Sequence, residues 1–373
     1  MNNRIILFFV AAIIIVVFSI NALNACTTFV IHQKNLLLFG RNLDWPTGTG
    51  LAMINQRNLE KVALIDSSEK PAKWISKFGS ITFNQVGRDL PYGGMNENGL
   101  VVEQMTLDQT VYPSRDNRSG IGACQWIQYQ LDNYSTIEEV IQSNTILRIV
   151  DGIAKLHFLV CDRSGHTVSI EFLNGKMVCH TESDLPVQVL ANSTYAESMI
   201  CYNDNGDTQS NRSLYNFVTA AHQVKHPDFP DDTSAISYAF SVLHSVSQGL
   251  ATKWSIVYDI TNMKVHFKIF ETPTIVGEQK IFTKQPPYDP VTKIVDFKGL
   301  NFDCSAKMKV LDLNCDIEGI VNQSLTDYST DINKEFIAKA FTFFKNWGIP
   351  IDLKEPELVY LAKYPESFRC FTK

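Results

Sequence analysis

Ala25-Cys26-Thr27-Thr28-Phe29-Val30 is answered, fifteen residues after its cysteine, by the arginine of Gly40-Arg41-Asn42-Leu43-Asp44-Trp45. Between them Thr28 to His32 and Leu36 to Phe39 are apolar and β-prone, separated by the polar triplet Gln33-Lys34-Asn35. That pattern predicts a hairpin. A hairpin returns the chain to its own beginning, so Arg41 and Asp44 are expected beside Cys26, which starts an edge of the sheet. Upstream stand Arg4, an almost wholly apolar run from Ile5 to Ile20, and the small polar segment Ala22 to Ala25. This is the grammar of a secretory leader. Cut after Ala25, the chain begins with a residue carrying both a thiol and an α-amine, which titrate near ~8.5 and ~8. One residue then holds a nucleophile and a base able to deprotonate it. A buried structural cysteine is the alternative, and it explains neither the cleavage position nor Arg41 and Asp44.

Two rivals to cleavage follow from the same residues. An uncleaved anchor is one, although the apolar run is shorter than the ~20 residues of a usual spanning helix. The other is lipidation, because Leu23-Asn24-Ala25-Cys26 resembles a lipobox. A lipidated cysteine loses both its thiol and its amine, giving a lipid-anchored envelope protein without catalysis. Cleavage makes residues 1–25 a signal peptide and the product periplasmic or secreted, with no stable membrane insertion.

Composition excludes some classes. With 45% hydrophobic and 19% charged residues the chain reads as an ordinary globular protein. The net charge of −6 becomes −7 once Arg4 is lost with the leader. No lysine or arginine cluster forms the basic patch that a nucleic-acid partner requires. Eight cysteines leave seven besides Cys26, so they cannot all pair within one chain. Cys304 and Cys315 are the expected pair, with two buried free thiols as the alternative.

Further along, Gly93-Gly94 and Asn98-Gly99 bracket a tight turn into Leu100 to Met105, and Trp126 to Leu131 and Ile137 to Ser143 read as helices. His157 to Cys161, Thr167 to Phe172 and Met177 to His180 read as strands, the last two joined by Asn174-Gly175, a strong two-residue hairpin signal. Arg212 to Lys225 and Ala235 to Ser247 are helical, and Trp254 to Tyr258 with Lys264 to Phe270 form a late hairpin. Runs of strands, then helices, then strands predict packed mixed layers. Residues 271–300 read as a proline-bearing connector. Ile332, Phe336, Ile337, Ala340, Phe341, Phe344 and Trp347 fall at helical spacing, with Asp331 as cap and Gly348 and Pro350 as stops.

Cys26-Thr27-Thr28-Phe29 and Gly40 to Trp45, with Gly94 to Leu100, Leu190-Ala191-Asn192-Ser193 and Trp254 to Asp259, resemble the choloylglycine hydrolase family, which includes bile salt hydrolases and penicillin V acylases. The resemblance covers roughly residues 26 to 300, leaving 301–373 as a C-terminal extension whose amphipathic helix packs on the main domain. It implies an α+β, four-layer αββα fold and a cofactor-free N-terminal nucleophile hydrolase. The implied substrate is a small-molecule amide joining an apolar acyl group to a polar amine: penicillin V, a conjugated bile acid or an N-acyl homoserine lactone. The implied reaction passes through an acyl-thioester on Cys26, and the implied assembly is a homotetramer.

The resemblance also assigns roles. Arg41 and Asp44 match the family's catalytic arginine and aspartate; a neighbouring cation favours a thiolate, and a carboxylate can hold the α-ammonium over sulfur. Without Cys26, an i,i+3 surface ion pair of little energetic worth is the simpler account. Asn192 matches the oxyanion-hole asparagine, although Ala191 and Thr194 depart from the usual threonine and proline, and Asn192-Ser193-Thr194 is also a glycosylation sequon in a surface turn. Thr106 occupies the second oxyanion position, where the family carries asparagine or tyrosine. Asn216 precedes Phe217-Val218-Thr219-Ala220-Ala221, where the family has an arginine, and Arg212, one turn earlier, is the stand-in. A Cys–His hydrolase built from Cys161 or Cys179 with His157 or His180 is the remaining chemical alternative. N-terminal sequencing of exported protein is expected to begin Cys-Thr-Thr-Phe; an intact Met1 or a blocked cysteine contradicts the leader reading.

Overall fold

The computed structural model describes residues 25–152, 154–204, 206, 208–227, 229–272, 274–276, 279–281, 289–346 and 353–371. Residues 1–24, which hold the expected leader, and Trp347, Gly348 and Pro350, lie outside the described residues. The first hairpin forms as its sequence predicts. Strands β1 (Thr27–Gln33) and β2 (Leu36–Asp44) close Gln33 on Leu36 through a two-residue turn in which Lys34 takes a positive φ of 56°. Asn174 and Gly175 do the same between Thr167–Leu173 and Lys176–Thr181, both with positive φ, which is why an Asn-Gly pair suits that turn.

These hairpins belong to two sheets. The first runs Val189–Leu190, β1, β2, Thr252–Asp259, Lys264–Ile269, Lys293–Asp296 and Gly319–Ile320. The second runs Lys176–Thr181, Thr167–Leu173, Leu156–Cys161, Val101–Thr106, Pro91–Asn96, Ser80–Asn84, Leu51–Asn55, Lys309–Asp312 and Thr326–Asp327. They face each other across an apolar layer in which Phe83 of the second sheet meets Trp254, Tyr258 and Phe267 of the first, at centroid distances of 6.1, 6.3 and 5.3 Å. Helices Arg212–Lys225 and Asp232–Ser245 cover the outer face of the first sheet, and Ala123–Asn133 covers that of the second. The result is an α+β fold of four layers, αββα.

Four local readings change. Gly93 and Gly94 lie inside strand Pro91–Asn96 and do not bracket the turn, which is made by Asn96 to Gly99 alone, with Asn96 Oδ1 accepting the backbone N–H groups of Asn98 and Leu100. The C-terminal helix spans Thr330–Asn346, so Asp331 is in its first turn; Ser329 Oγ accepts the N–H of Ile332 instead. Residues 309–312 and 319–320, read as extension, are strands of the two main sheets. The disulfide joins Cys304 to Cys370, not to Cys315, which is a free thiol. Spacing along the chain favoured the nearer cysteine, whereas strand Arg369–Cys370 returns to pair with Leu59–Val62 and brings the distant one close.

The C-terminal helices Thr330–Asn346 and Glu355–Lys363 bury Ile337, Ala340, Phe341, Phe344, Leu358 and Leu361 together, with Trp45, Val86 and Leu90 packed against them. Beneath lies a buried polar knot. Lys61 Nζ donates to Asp89 at 2.6 Å and to Asp132 at 2.8 Å, and Trp74 Nε1 also donates to Asp132, at 2.7 Å. Gln125 connects this knot to the Tyr364 hydroxyl at 2.8 Å. Lys61→Met would strand two buried carboxylates, so it should lower the unfolding free energy by about 3–5 kcal/mol. A reduced denaturant midpoint checks this.

Candidate active site

Strand pairing builds the site around one residue. Thr28 of β1 pairs with Arg41 on one side and with Leu190 on the other. Side chains alternate along a strand, so Cys26 and Thr28 project on the same face as Arg41. The short strand Val189–Leu190 then delivers Asn192 to the same end of the hairpin. Arg41 and Asp44, three apart on β2, project to opposite faces, so they are not the surface pair that their spacing allows. Both are fully buried. The Nε of Arg41 forms an ion pair with Glu103 of the facing sheet, and its Nη2 donates to the Gln104 carbonyl at 3.2 Å. Asp44 accepts from Thr252 Oγ1 at 2.5 Å and from Gln248 Nε2 at 3.0 Å. Cys26 Sγ lies 3.8 Å from the backbone carbonyl of Asp44.

Electrostatics at this end are governed by burial. It pushes the Cys26 thiol up to about 11; Arg41 pulls it down, while Asp44 and Glu103 push it further up. The expected lowering by Arg41 is therefore present but outweighed. Asp44 is raised to about 7 by burial, against its two hydrogen bonds and the charges of Arg41 and Arg212. Glu103 is likewise raised to about 7 by burial, against Arg41 and its bond from the Tyr258 hydroxyl.

The junction itself is held. In the continuous chain Cys26 has an amide nitrogen, and the Ala25 carbonyl accepts from Asn216 Nδ2 at 2.7 Å. The same nitrogen reaches Thr27 Oγ1 at 3.1 Å, and Asn216 Oδ1 is buried without a hydrogen-bond partner among the described residues. Arg212 does not take over the position. It is exposed, donates to the Ser247 carbonyl at 2.9 Å and lies over the Tyr215 ring at 4.6 Å. Only its charge reaches Asp44.

Asn192 and Thr106 come together as a pair. Asn192 Nδ2 donates to both the Thr106 carbonyl, at 2.8 Å, and its Oγ1, at 2.6 Å. Both side-chain N–H groups are thus engaged, and the Asn192 backbone N–H donates to Ser213 Oγ at 2.8 Å. With its oxygen accepting, the Thr106 hydroxyl keeps its own hydrogen to donate. Behind this segment, His157 Nε2 contacts the Ala191 carbonyl at 2.6 Å, and Glu171 accepts the N–H of Tyr195 at 2.9 Å.

The alternative Cys–His sites do not assemble. His157 is engaged by Ala191 and Glu171, and His180 faces Glu171 at 3.8 Å. Cys161 Sγ donates to the Asp162 carbonyl at 3.4 Å, and burial lifts the Cys161 and Cys179 thiols to about 12 and about 11. A groove of 1040 Å³ lined by Phe240, His244, Lys264 and His266 lies on the helix-covered face; it touches β2 through Ser255, which donates to Asn42 at 2.6 Å, and Asp259, the ladder partner of Leu38. Sequence reasoning missed Glu103, Tyr258 and Glu171. The one signal was a carboxylate set among apolar strand residues, as in Val101-Val102-Glu103-Gln104-Met105.

Residues 26–212 match the family described as linear amide C–N hydrolases, choloylglycine hydrolase family. The chain belongs to that family. It is an enzyme that hydrolyses carbon–nitrogen bonds other than peptide bonds, in linear amides of small molecules. The structure of penicillin V acylase from Agrobacterium tumefaciens aligns with a TM-score of 0.67 at 27% identity, covering 82% of this chain and 98% of its own. A penicillin V acylase of Pectobacterium atrosepticum is 25% identical over 67% of this chain and 80% of its own. A conjugated bile acid hydrolase from Clostridium perfringens shares the fold, with a TM-score of 0.59 at 17% identity, covering 79% of this chain and 98% of its own.

The buried carboxyl of Asp44 has a definite consequence for this amidase. Its folded value lies above the ~4 of a free carboxylate, so the folded chain binds the proton more tightly than the unfolded chain. Asp44 therefore subtracts stability as pH rises from about 4 towards 7. In the full-length chain Asp44→Asn should flatten the decline of Tm across that window and leave Tm below it nearly unchanged. Thermal melts at several pH values check this.

Proposed function

We propose that the enzyme is an exported N-terminal cysteine amidase in which Cys26, freed by removal of the leader after Ala25, is the nucleophile. The observation that carries this reading is the pairing of Thr28 with both Arg41 and Leu190, which gathers Cys26, Arg41 and the Asn192–Thr106 pair at one end of the hairpin. Ala25 is 3% exposed and its carbonyl is held by Asn216 in the continuous chain, so cleavage acts on a form in which this end is opened. Removal gives Cys26 an α-amine next to its own sulfur, and Asp44 is the buried carboxylate available to orient it.

In the reaction the α-amine takes the thiol proton and the sulfur attacks the amide carbon. The negative charge on oxygen is met by the Thr106 hydroxyl, and by Asn192 once its Nδ2 turns from Thr106 to the substrate; loss of one such donor typically costs about 10²–10³ in rate. The α-ammonium then gives its proton to the leaving nitrogen as the carbon–nitrogen bond breaks, leaving an acyl-thioester on Cys26. Water, deprotonated by the same amine, attacks that thioester, releases the acid and restores the thiol. Arg41 favours the thiolate throughout.

Penicillin V is the favoured substrate. Two penicillin V acylases resemble the chain at 27% and 25% identity, against 17% for the bile acid hydrolase. Trp45, immediately after Asp44, meets Tyr92 and Phe344 at centroid distances of 6.3 and 6.0 Å, an aromatic cluster suited to an apolar acyl group. Cys26→Ser keeps the α-amine and the surrounding side chains but replaces the thiol with a far weaker acid. It should lower kcat for penicillin V by at least about 10³-fold with Kd little changed. Full activity in Cys26→Ser, with intact mass showing that the leader has gone, moves the nucleophile elsewhere.

A further inference from the structure

We propose that Glu103, tied down by Tyr258, is a positioning residue for this reaction: it fixes the Arg41 guanidinium beside Cys26 and sets how much of that positive charge the thiol feels. The inference rests on Cys26 being the nucleophile. Glu103 is a fully buried acid on strand Val101–Thr106, in the sheet that faces the hairpin. One carboxylate oxygen takes the Arg41 Nε and the other accepts the Tyr258 hydroxyl at 2.5 Å. Tyr258 pairs with Phe39, two residues before Arg41 and on the same face of β2. The guanidinium is thus held from the facing sheet, while its Nη2 is held by the Gln104 carbonyl one residue further along.

The backbone is cleared to admit this carboxylate. Gly93 is the ladder partner of Glu103, and a Cβ at Gly93 would collide with the Glu103 carboxyl group itself. A glycine within a strand costs stability, and here the missing side chain is the space that Glu103 occupies. A rivet between two sheets could be built more cheaply from apolar side chains, since a buried ion pair often stabilises no better than a packed hydrophobic replacement. What an apolar rivet cannot do is meter a charge.

The charged groups acting on Cys26 are Arg41, Asp44 and Glu103, and Arg212 acts on Asp44. Those acting on Glu103 are Arg41 and the Tyr258 hydroxyl; Tyr92 also feels Arg41. Arg41 stabilises the thiolate and Glu103 opposes it. Removing the Glu103 charge therefore leaves Arg41 uncompensated and makes the thiol easier to ionise, an outcome that a purely structural role for Glu103 does not give.

The test is the pH dependence of Cys26 alkylation by iodoacetamide in the exported enzyme, read by peptide mass at Cys26 and compared between wild type and Glu103→Gln. The expected result is a midpoint lowered by about one pH unit or more, with kcat for penicillin V reduced and KM nearly unchanged. A midpoint that stays in place or rises overturns the proposal. If Glu103→Gln does not fold, Glu103→Asp, which draws the same charge back by one carbon, should lower the midpoint by a smaller amount, and no shift there overturns the proposal as well. Wild-type Cys26 that takes no label at any pH overturns the nucleophile and this proposal together, whereas labelling without a shift overturns this one alone.

Discussion

Strand Leu36–Asp44 is buried along its whole length, a guanidinium and a carboxylate included. That constraint shapes the architecture around it. A buried cation without a partner is too costly to keep, so the second sheet must present an anion opposite Arg41, and it does so through Glu103. A buried carboxylate three residues on needs donors of its own, and the neighbouring strand and the turn before it supply Thr252 and Gln248. The two polar residues project to opposite faces of β2, so their needs are met by different layers. One is satisfied across the sandwich and the other within its own sheet. The register of the whole assembly is thereby fixed, because a slip of one residue on β2 would exchange the faces and leave both charges unpaired.

Much of this was legible in the chain. Gln33-Lys34-Asn35 and Asn174-Gly175 locate their hairpins because turn geometry is a local matter, decided by a few residues. The stripe Phe336, Ile337, Ala340, Phe341 and Phe344 gives its helix for the same reason, and all five are buried. Cys26, Arg41, Asp44, Asn192 and Thr106 were identified through the family's motifs, and the strand ladders bring four of them together around Thr28 and the Asn192–Thr106 contact. What could not be read is what depends on partner choice across long separations. Glu103 lies 62 positions from Arg41 in the chain, and nothing local distinguishes it from any other acid near a strand. Cys304 bonds to Cys370 and not to Cys315 because a terminal strand returns to Leu59–Val62, a contact invisible from spacing. Arg212 shares the helical phase of Asn216, yet its side chain runs to the Ser247 carbonyl and the Tyr215 ring, while Asn216 holds the Ala25 carbonyl.

The C-terminal segment illustrates the same limit on a larger scale. Motif resemblance ends near residue 300, which invites a boundary there. The backbone ignores it, because an exposed edge at Leu51–Asn55 is an unpaired row of donors and acceptors that must be covered. Lys309–Asp312 covers it. The helices that follow then pack Phe344 against Trp45, the residue after Asp44. Chain beyond the recognisable motifs therefore packs directly against the residue that follows Asp44.

The same burial disfavours the charged forms of the site's groups in the continuous chain. In the continuous chain the thiol is raised to about 11 and Asp44 to about 7, so near neutral pH the sulfur is protonated and the carboxyl is poised between its two forms. The Cys26 nitrogen is an amide there and cannot serve as a base. If the bond after Ala25 is cut, one event changes all three conditions. A cation appears within bonding distance of the cysteine's own α-carbon, in a region of low dielectric where a charge acts strongly. That cation favours both the thiolate and the Asp44 carboxylate, and the two anions in turn favour the ammonium. Asn216 loses the carbonyl it was holding, and its unpartnered Oδ1 is already in place as an acceptor on that side. Each group is destabilised in its charged form while alone and stabilised once the others ionise, so the proposed cleavage would switch the site as a unit.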